Sequence, residues 1–478
     1  MSKQQKSSRP VRWGVHAILA STVGVIWPVI TAQSAQASFS TIYNFCALTN
    51  CTDGERASGA LIQSSDGSLY GTTAAAGANG SGTVFKITID GSLTTLYSFC
   101  SEANCTDGFA PGTGLILGSK GDFFGTTSQG GANGAGTVFK ISPSGTLTTL
   151  HSFDNTDGEY PNGLIQGANG EFYGTTSEGG TTGAGTVFKM TSDGELTTLY
   201  SFCSQTACAD GSYPNGLIHG PHGDYYGTTS DGGASNHGTV FKVTATGAET
   251  AIYSFCAQPD CTDGEYPYGG LVQGGSDLYG TTSAGGSGNF GTAFKITSGG
   301  ALKTLYSFIE TDGASPQAAL LRATNGDLYG SLFLGGTGDG TLFKLTPSGR
   351  FTKLHTFDGA DGYRPSTPLS QDTNGDIYGT TSEGGANGGG TIFRLSLGIA
   401  PFVEAQPASA KVGARVKILG SDLTGATSVT FDGTPATFTV VSASEISTSV
   451  PNGAASGVIE VITPNGTLKG NKTFTVRP

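Results

Sequence analysis

Gly163-Leu164-Ile165, Glu171-Phe172-Tyr173-Gly174-Thr175-Thr176, Gly185-Thr186-Val187-Phe188-Lys189 and Leu196-Thr197-Thr198-Leu199-Tyr200-Ser201-Phe202 form one four-part sentence, and the chain writes it seven times. The glycine of its Tyr/Phe-Gly part recurs at 71, 125, 174, 227, 280, 330 and 379, at intervals of 49 to 54 residues. Runs rich in Thr, Val, Phe and Tyr, punctuated by Gly, Asn and Asp, read as strands joined by turns. Four such runs in a period of about 50 residues belong to a propeller or a solenoid.

The ends of the array decide between the two. No Leu-Tyr-Ser-Phe run follows the seventh Gly390-Thr391-Ile392-Phe393-Arg394, whereas an orphan copy, Phe39-Ser40-Thr41-Ile42-Tyr43-Asn44-Phe45, precedes the first unit. A strand displaced by one unit is what a closed circle needs; an open array would need polar capping repeats instead. The sequence therefore predicts an all-β chain. Residues 38–397 form a seven-bladed β-propeller closed by the N-terminal strand, and an immunoglobulin-like sandwich follows over 399–478.

Residues 1–37 read as a secretory signal peptide. Lys3, Lys6, Arg9 and Arg12 precede an apolar run from Val15 to Ile30, and Ala35-Gln36-Ala37 offers a small-x-small cleavage site. Removing the leader leaves 20 basic against 36 acidic residues, a shift from −12 to −16. That balance argues against nucleic acid and anionic membranes as partners. Trp13 and Trp27, the only tryptophans, leave with the leader. No transmembrane segment is expected in the mature chain, and its expected place is periplasmic, extracellular or at the cell surface, as a monomer.

Eight cysteines fall in Cys-x4-Cys pairs: Cys46 with Cys51, Cys100 with Cys105, Cys203 with Cys208, and Cys256 with Cys261. Each pair arrives with a four-residue lengthening of the loop between one unit's last strand and the next unit's first. Phe99 to Asp107 spans eight positions, whereas Phe153 to Asp157 spans four. An exported chain with local, even pairing predicts four disulfides, each a staple across its own loop. So short a loop stabilises by roughly 2 kcal/mol or less in the chain-entropy picture. A zinc reading would need four ligands in one place, and these pairs belong to different units.

Asn169-Gly170 and Asp193-Gly194 mark tight hairpin turns after the first and third strands of a unit. The loops after the second and fourth strands are longer and leave from the opposite end. Loops on a rigid scaffold usually carry function, so that end is the candidate binding face. It holds an Asp-Gly in every unit, at Asp53, Asp107, Asp157, Asp210, Asp263, Asp312 and Asp361, with Glu178, Asp231 and Glu383 nearby. Such a rim would suit calcium or a cationic ligand; the simpler reading is turn chemistry repeated sevenfold. No other cofactor is expected. Tyr160, Tyr213, Tyr266, Tyr268 and Tyr363 lie in the same loops and would suit carbohydrate or protein contact, or would pack loop on loop.

Recurring acids opening the second strand (Asp122, Glu171, Asp224, Asp277, Asp327, Asp376) and bases closing the third (Lys140, Lys189, Lys242, Lys295, Lys344, Arg394) predict cross-strand ion pairs, with Glu171 facing Lys189. His219, His222 and His237 cluster in one unit, but His222 and His237 bracket a strand and cannot share an ion. His151 and His355 stand where the fourth strand otherwise has Tyr. No catalytic residue is predicted: Gly-x-Ser-x-Gly and phosphate-loop motifs do not occur.

After Ile399 the language changes. Gly420-Ser421-Asp422-Leu423, Val429-x-Phe431-x-Gly433, Val450-Pro451 and Gly457-x-Ile459-x-Val461-x-Thr463-Pro464-x-Gly466 resemble the IPT/TIG domain, which implies an interaction or spacer module. The repeat resembles the gloeo/verruco tandem repeat of exported bacterial proteins, which implies export and a propeller and brings no catalytic residues with it. The function expected is a secreted or surface non-enzymatic binding or scaffold protein for an extracellular polysaccharide or protein. The alternative is a propeller enzyme acting on carbohydrate or a lactone at the channel mouth.

Overall fold

The computed structural model describes residues 37–477 except 119, 120, 168, 221, 222, 336 and 337. His222 and the expected leader up to Gln36 lie outside them. The described chain is all-β, with helix limited to short 3-10 turns such as Thr206–Cys208 in a cysteine loop.

All four expected disulfides are formed: Cys46–Cys51, Cys100–Cys105, Cys203–Cys208 and Cys256–Cys261. Each closes its own loop as expected, and the backbone at Cys105 shows a second duty. It closes the 3-10 turn Ala103–Cys105 and takes a left-handed backbone, φ +53°. Its carbonyl then accepts two amides, from Gly108 at 2.9 Å and from Gly131 at 3.0 Å. Gly131 belongs to the loop after the second strand of the following sheet, so Cys105 ties two long loops together. Cys51, Cys208 and Cys261 accept from Gly77, Gly233 and Gly286 in the same way. Sequence spacing could show the pairing but not this second duty, because the backbone turn that aims the carbonyl leaves no mark on the Cys-x4-Cys pattern.

Each repeat folds as a separate four-stranded antiparallel sheet, and no sheet closes on itself. The third is typical: Glu159–Gln166, Phe172–Glu178, Thr186–Met190 and Leu196–Ser201 pair in chain order. Its second and third strands are almost wholly buried, while its fourth is half exposed. That gradient explains the spelling: Tyr-Gly-Thr-Thr and Thr-Val-Phe fill both faces, and Leu-Thr-Thr-Leu alternates. The Gly of Tyr-Gly is required by packing. A Cβ at Gly174 would sit 2.6 Å from the Phe188 ring and 3.1 Å from Leu164.

The seventh sheet takes its fourth strand from the other end of the chain. Ser38–Asn44 pairs antiparallel with Thr391–Ser396, from Ser38 opposite Ser396 to Asn44 opposite Thr391. Seven apolar clusters follow, each drawing on two consecutive sheets, as when Phe153 of the second meets Leu164, Phe172 and Phe188 of the third. One of them joins the first sheet to the seventh through Phe45, Leu69, Phe85, Tyr378 and Ile392.

Four of the six predicted ion pairs form among the described residues, with a different geometry. Lys189 lies opposite Tyr173, two residues beyond Glu171, and Lys295 likewise lies opposite Tyr279, two beyond Asp277. Acids therefore reach their bases diagonally: Asp224–Lys242 at 3.4 Å, Asp277–Lys295 at 3.0 Å, Asp327–Lys344 at 3.4 Å and Asp376–Arg394 at 4.0 Å. Glu171 instead accepts from the Asn169 amide and the Tyr173 hydroxyl. The first unit, which has Ser68 at the acid's position, uses Asp66 for Lys86 at 2.6 Å.

Residues beyond Ile399 build two further four-stranded sheets and a parallel pair, Ser409–Lys411 with Thr475–Arg477. Val416, Ile418, Val429, Phe431, Ile446 and Val461 fill one core between them. This module rests on hairpin turns of the first and seventh sheets. Phe402 N–H donates to the Thr373 carbonyl at 2.9 Å, Thr373 and Ser421 hydroxyls meet at 2.9 Å, and Ser444 donates to the Ser65 carbonyl at 2.8 Å. Asp372, buried at this seam, has its carboxyl raised to about 6 by loss of water. Its Oδ1 accepts from the Thr373 N–H.

Candidate functional site

The seven loop aspartates occupy one structural role. Each accepts a hydrogen bond from the aromatic residue near the end of the preceding strand: Tyr43 to Asp53, Tyr97 to Asp107, Tyr200 to Asp210, Tyr253 to Asp263 and Tyr306 to Asp312, at 2.7–2.8 Å. His151 and His355 do the same for Asp157 and Asp361 at 2.7 Å. Histidine thus substitutes for tyrosine in function as well as position. The carboxylates also accept loop amides, as Asp263 does from Ala257 and Gln258. Burial, with a contribution from the neighbouring Asp, pushes the Tyr306 hydroxyl up to about 12, so it stays a donor.

Asp53, Asp107, Asp210, Asp263 and Asp312 are buried within these loops, and Asp157 and Asp361 are about three-quarters covered. The structure therefore gives these carboxylates loop-closing partners, not an open acidic rim. Among the described residues, the side-chain groups with metal-ligand spacing are His237, Cys256, Cys261, Glu265 and Cys46, Cys51, Glu55. Neither includes a loop aspartate, and their cysteine sulfurs are tied in disulfides. Asp263→Asn is expected to lower stability by about 1–2 kcal/mol, because the amide NH2 would face a donor. A denaturant midpoint at neutral pH measures it.

Immediately after each Asp-Gly-x comes a residue held in the left-handed conformation: Arg56, Ala110, Tyr160, Tyr213, Tyr266, Ser315 and Arg364, with φ from +53° to +58°. Its amide donates to the loop after the second strand of the neighbouring sheet, as Tyr213 does to Ala184 at 2.9 Å. Arg56 makes that bond to Gly389, from the first sheet to the seventh, at 3.0 Å. The bond offsets the roughly 1 kcal/mol that a non-glycine residue costs in this region.

The tyrosines divide. Tyr213 and Tyr268 are exposed, at 42% and 47%. Tyr160, half-buried, gives its carbonyl to the Ser177 hydroxyl. Tyr266 packs edge-on against His237, which is ion-paired to Glu265 at 2.9 Å. Tyr363 lies under the Arg364 guanidinium, itself paired with Glu383 at 2.9 Å. His219 is accounted for by a hydrogen bond to the Gln166 carbonyl.

Next in the chain, residues in the first strand of each sheet, or just before it, converge from all seven sheets on one cavity of about 540 Å³. Its wall combines glycine, alanine and small hydroxyls with apolar side chains such as Leu115, Leu164, Leu217 and Leu271, and Asn162, Asn215, Gln317 and Tyr268 are the larger polar groups. Arg56 is its one charged side chain, and no carboxylate or imidazole lines it among the described residues. Asn162 and Asn215 are fixed, donating to the Pro214 and Pro267 carbonyls of the next sheets at 2.8 and 2.9 Å. Sequence reasoning singled out Tyr268 and missed the rest. The signal was the pair of positions flanking the loop proline, whose identities change from unit to unit.

A profile of the Gloeobacter/Verrucomicrobia repeat matches residues 20–218, 149–337 and 278–415. The chain belongs to this repeat family. An IPT/TIG domain matches residues 402–476. No curated protein sequence matches the chain. Among solved structures, the extracellular domain of a proposed one-component system from B. thetaiotaomicron is 12% identical, with a TM-score of 0.50 over 92% of this chain and 58% of that one. A gluconolactonase from Xanthomonas campestris is 13% identical, with a TM-score of 0.40 over 78% and 93%. The likeness to the first is one of fold, and the repeat-family chain spans little more than half its length.

One position breaks the family's repeat at the start of the fourth strand. Phe39, Leu93, Leu147, Leu196, Leu302 and Phe351 fill it in six sheets, and Glu249 fills it in the fourth. Phe351 stacks on Tyr306 of the preceding sheet at 4.7 Å. Glu249 lies instead beside Tyr200 and Asp210, with both carboxylate oxygens out of reach of water. Burial, reinforced by the Asp210 charge, raises its carboxyl to about 7.

Proposed function

We propose that the repeats build a seven-bladed β-propeller closed by Ser38–Asn44, and that the chain is exported. In this reading it acts as a binding or scaffold protein at its central cavity. The ligand would be an extracellular polysaccharide or a surface protein, with the C-terminal module as spacer or second contact. The observation that carries this reading is the cavity to which every repeat contributes. Hydroxyl and amide groups with an exposed tyrosine, set among apolar side chains, suit a hydroxyl-rich ligand with apolar faces. What favours binding over turnover is the wall's chemistry: general acid–base catalysis on a sugar or lactone most often uses a carboxylate or imidazole at the reacting centre, and none lines this cavity among the described residues. The disulfides favour an oxidising compartment. Among the described residues no helix is long and apolar enough to cross a membrane.

A glycan array and surface-protein capture with the purified chain, run beside turnover assays on lactones and oligosaccharides, test the reading. Saturable binding without product is expected. Product formation that survives mutation of every group in the cavity would overturn the site assignment, and product formation lost with those groups would overturn the non-enzymatic role.

A further inference from the structure

Arg56 is out of keeping with its surroundings. Its equivalents in the other six sheets are an alanine, three tyrosines, a serine and Arg364. The Arg364 guanidinium is occupied by Glu383, Tyr363 and Phe333. The Arg56 guanidinium has no ion-pair or hydrogen-bond partner among the described residues, is exposed, and lines the cavity. The backbone beneath it is anchored at 3.0 Å to Gly389, which fixes where the side chain starts. This single cation sits in a wall without carboxylates, in a chain whose net charge is −12. Tyr268, contributed by the fifth sheet, supplies an aromatic face to the same cavity.

We propose that the cavity takes a sugar bearing a carboxylate, a uronic acid unit of an acidic polysaccharide, with Arg56 gripping the carboxylate and Tyr268 supporting the ring. This rests on the glycan-binding reading above and narrows it. A planar guanidinium matches a carboxylate with two parallel hydrogen bonds, and strengthens where the surrounding wall is neutral. The tyrosine face offers contact to the C–H side of a pyranose while Asn, Gln and Ser side chains meet its hydroxyls. The alternative ligand class, a surface protein, would need a broad contact area, and the convergent groups here lie within one cavity.

The test uses the full oxidised chain in calorimetric titrations against polygalacturonate, alginate, methyl-esterified polygalacturonate and a neutral β-glucan. Binding of at least one acidic polymer is expected, tenfold or more tighter than of the esterified or neutral ones. Arg56→Ala is expected to lose that tenfold. It should fold, because Ala110 holds the same left-handed position in the second sheet; circular dichroism checks it. Arg56→Lys should retain part of the affinity, since it keeps the charge and loses the two-pronged geometry. Equal binding of acidic and neutral polymers, or an Arg56→Ala variant as tight as the parent, overturns the uronate assignment and leaves the glycan reading intact. Binding of no carbohydrate, with capture of a surface protein, overturns both.

Discussion

A chain lacking residues 38–45 is expected to lose the parent's fold. The deletion strips the seventh sheet of its fourth strand and removes Phe45, which is fully buried between the first and seventh sheets. Loss of one buried phenylalanine alone costs about 3–5 kcal/mol. Strand pairing is lost as well, so the total approaches the roughly 5–15 kcal/mol by which whole domains are stable. Thr391–Ser396 would become an unpaired edge, a template for strands of other copies. Oligomers or aggregates in light scattering are expected, partly rescued by adding a peptide of residues 38–45. A monomer with the parent's unfolding midpoint would show that the pairing carries no stability. Asn44 and its partner Ala386 are 342 residues apart, so this contact forms only after every repeat has been made.

Glu249→Leu is expected to stabilise the protein, and more so as pH rises. The carboxyl holds its proton to about 7 when folded and to about 4.5 when unfolded. The folded state therefore binds more protons between those values, and stability falls as pH rises from about 5 to about 8. Discounting for solvent screening, the ionised carboxylate costs about 2 kcal/mol at pH 8. Leucine adds roughly 1 kcal/mol from apolar burial, restoring what the other six sheets do with leucine or phenylalanine. Asp372 has the same sign but titrates near 6, so the interval from pH 6.5 to 8 chiefly reports Glu249. Urea midpoints at pH 6.5 and 8 should diverge for the parent and draw together for the variant. Parallel slopes would place the carboxylate in water.

Much of the architecture could be read from letters alone because each repeat solves the same packing problem. Thr186, Val187 and Phe188 recur since both faces of that strand are buried, and the orphan Phe39–Phe45 run announced its pairing by being one copy out of place. Local disulfides were legible because the cysteines travel with a loop length. The ion-pair register was not, since the length of the loop between the two strands leaves the pairing open by two residues, and the acid meets its base on a diagonal. Glu249 and Arg56 were harder still. A glutamate among leucines looks like ordinary surface variation until burial shows that no water reaches it. An arginine beside alanine, serine and tyrosine equivalents carries no motif; only the convergence of residues from all seven sheets gives it neighbours.

The docking of the C-terminal module gives the molecule a front and a back. Ser65 and Thr373, its contacts, lie in turns that follow first strands, whereas the cysteine loops, the left-handed residues and Tyr268 lie at the opposite end of those strands. A surface holding this protein by its last domain would face the turns. The loops and Arg56 would then look away from that surface, toward whatever passes in solution.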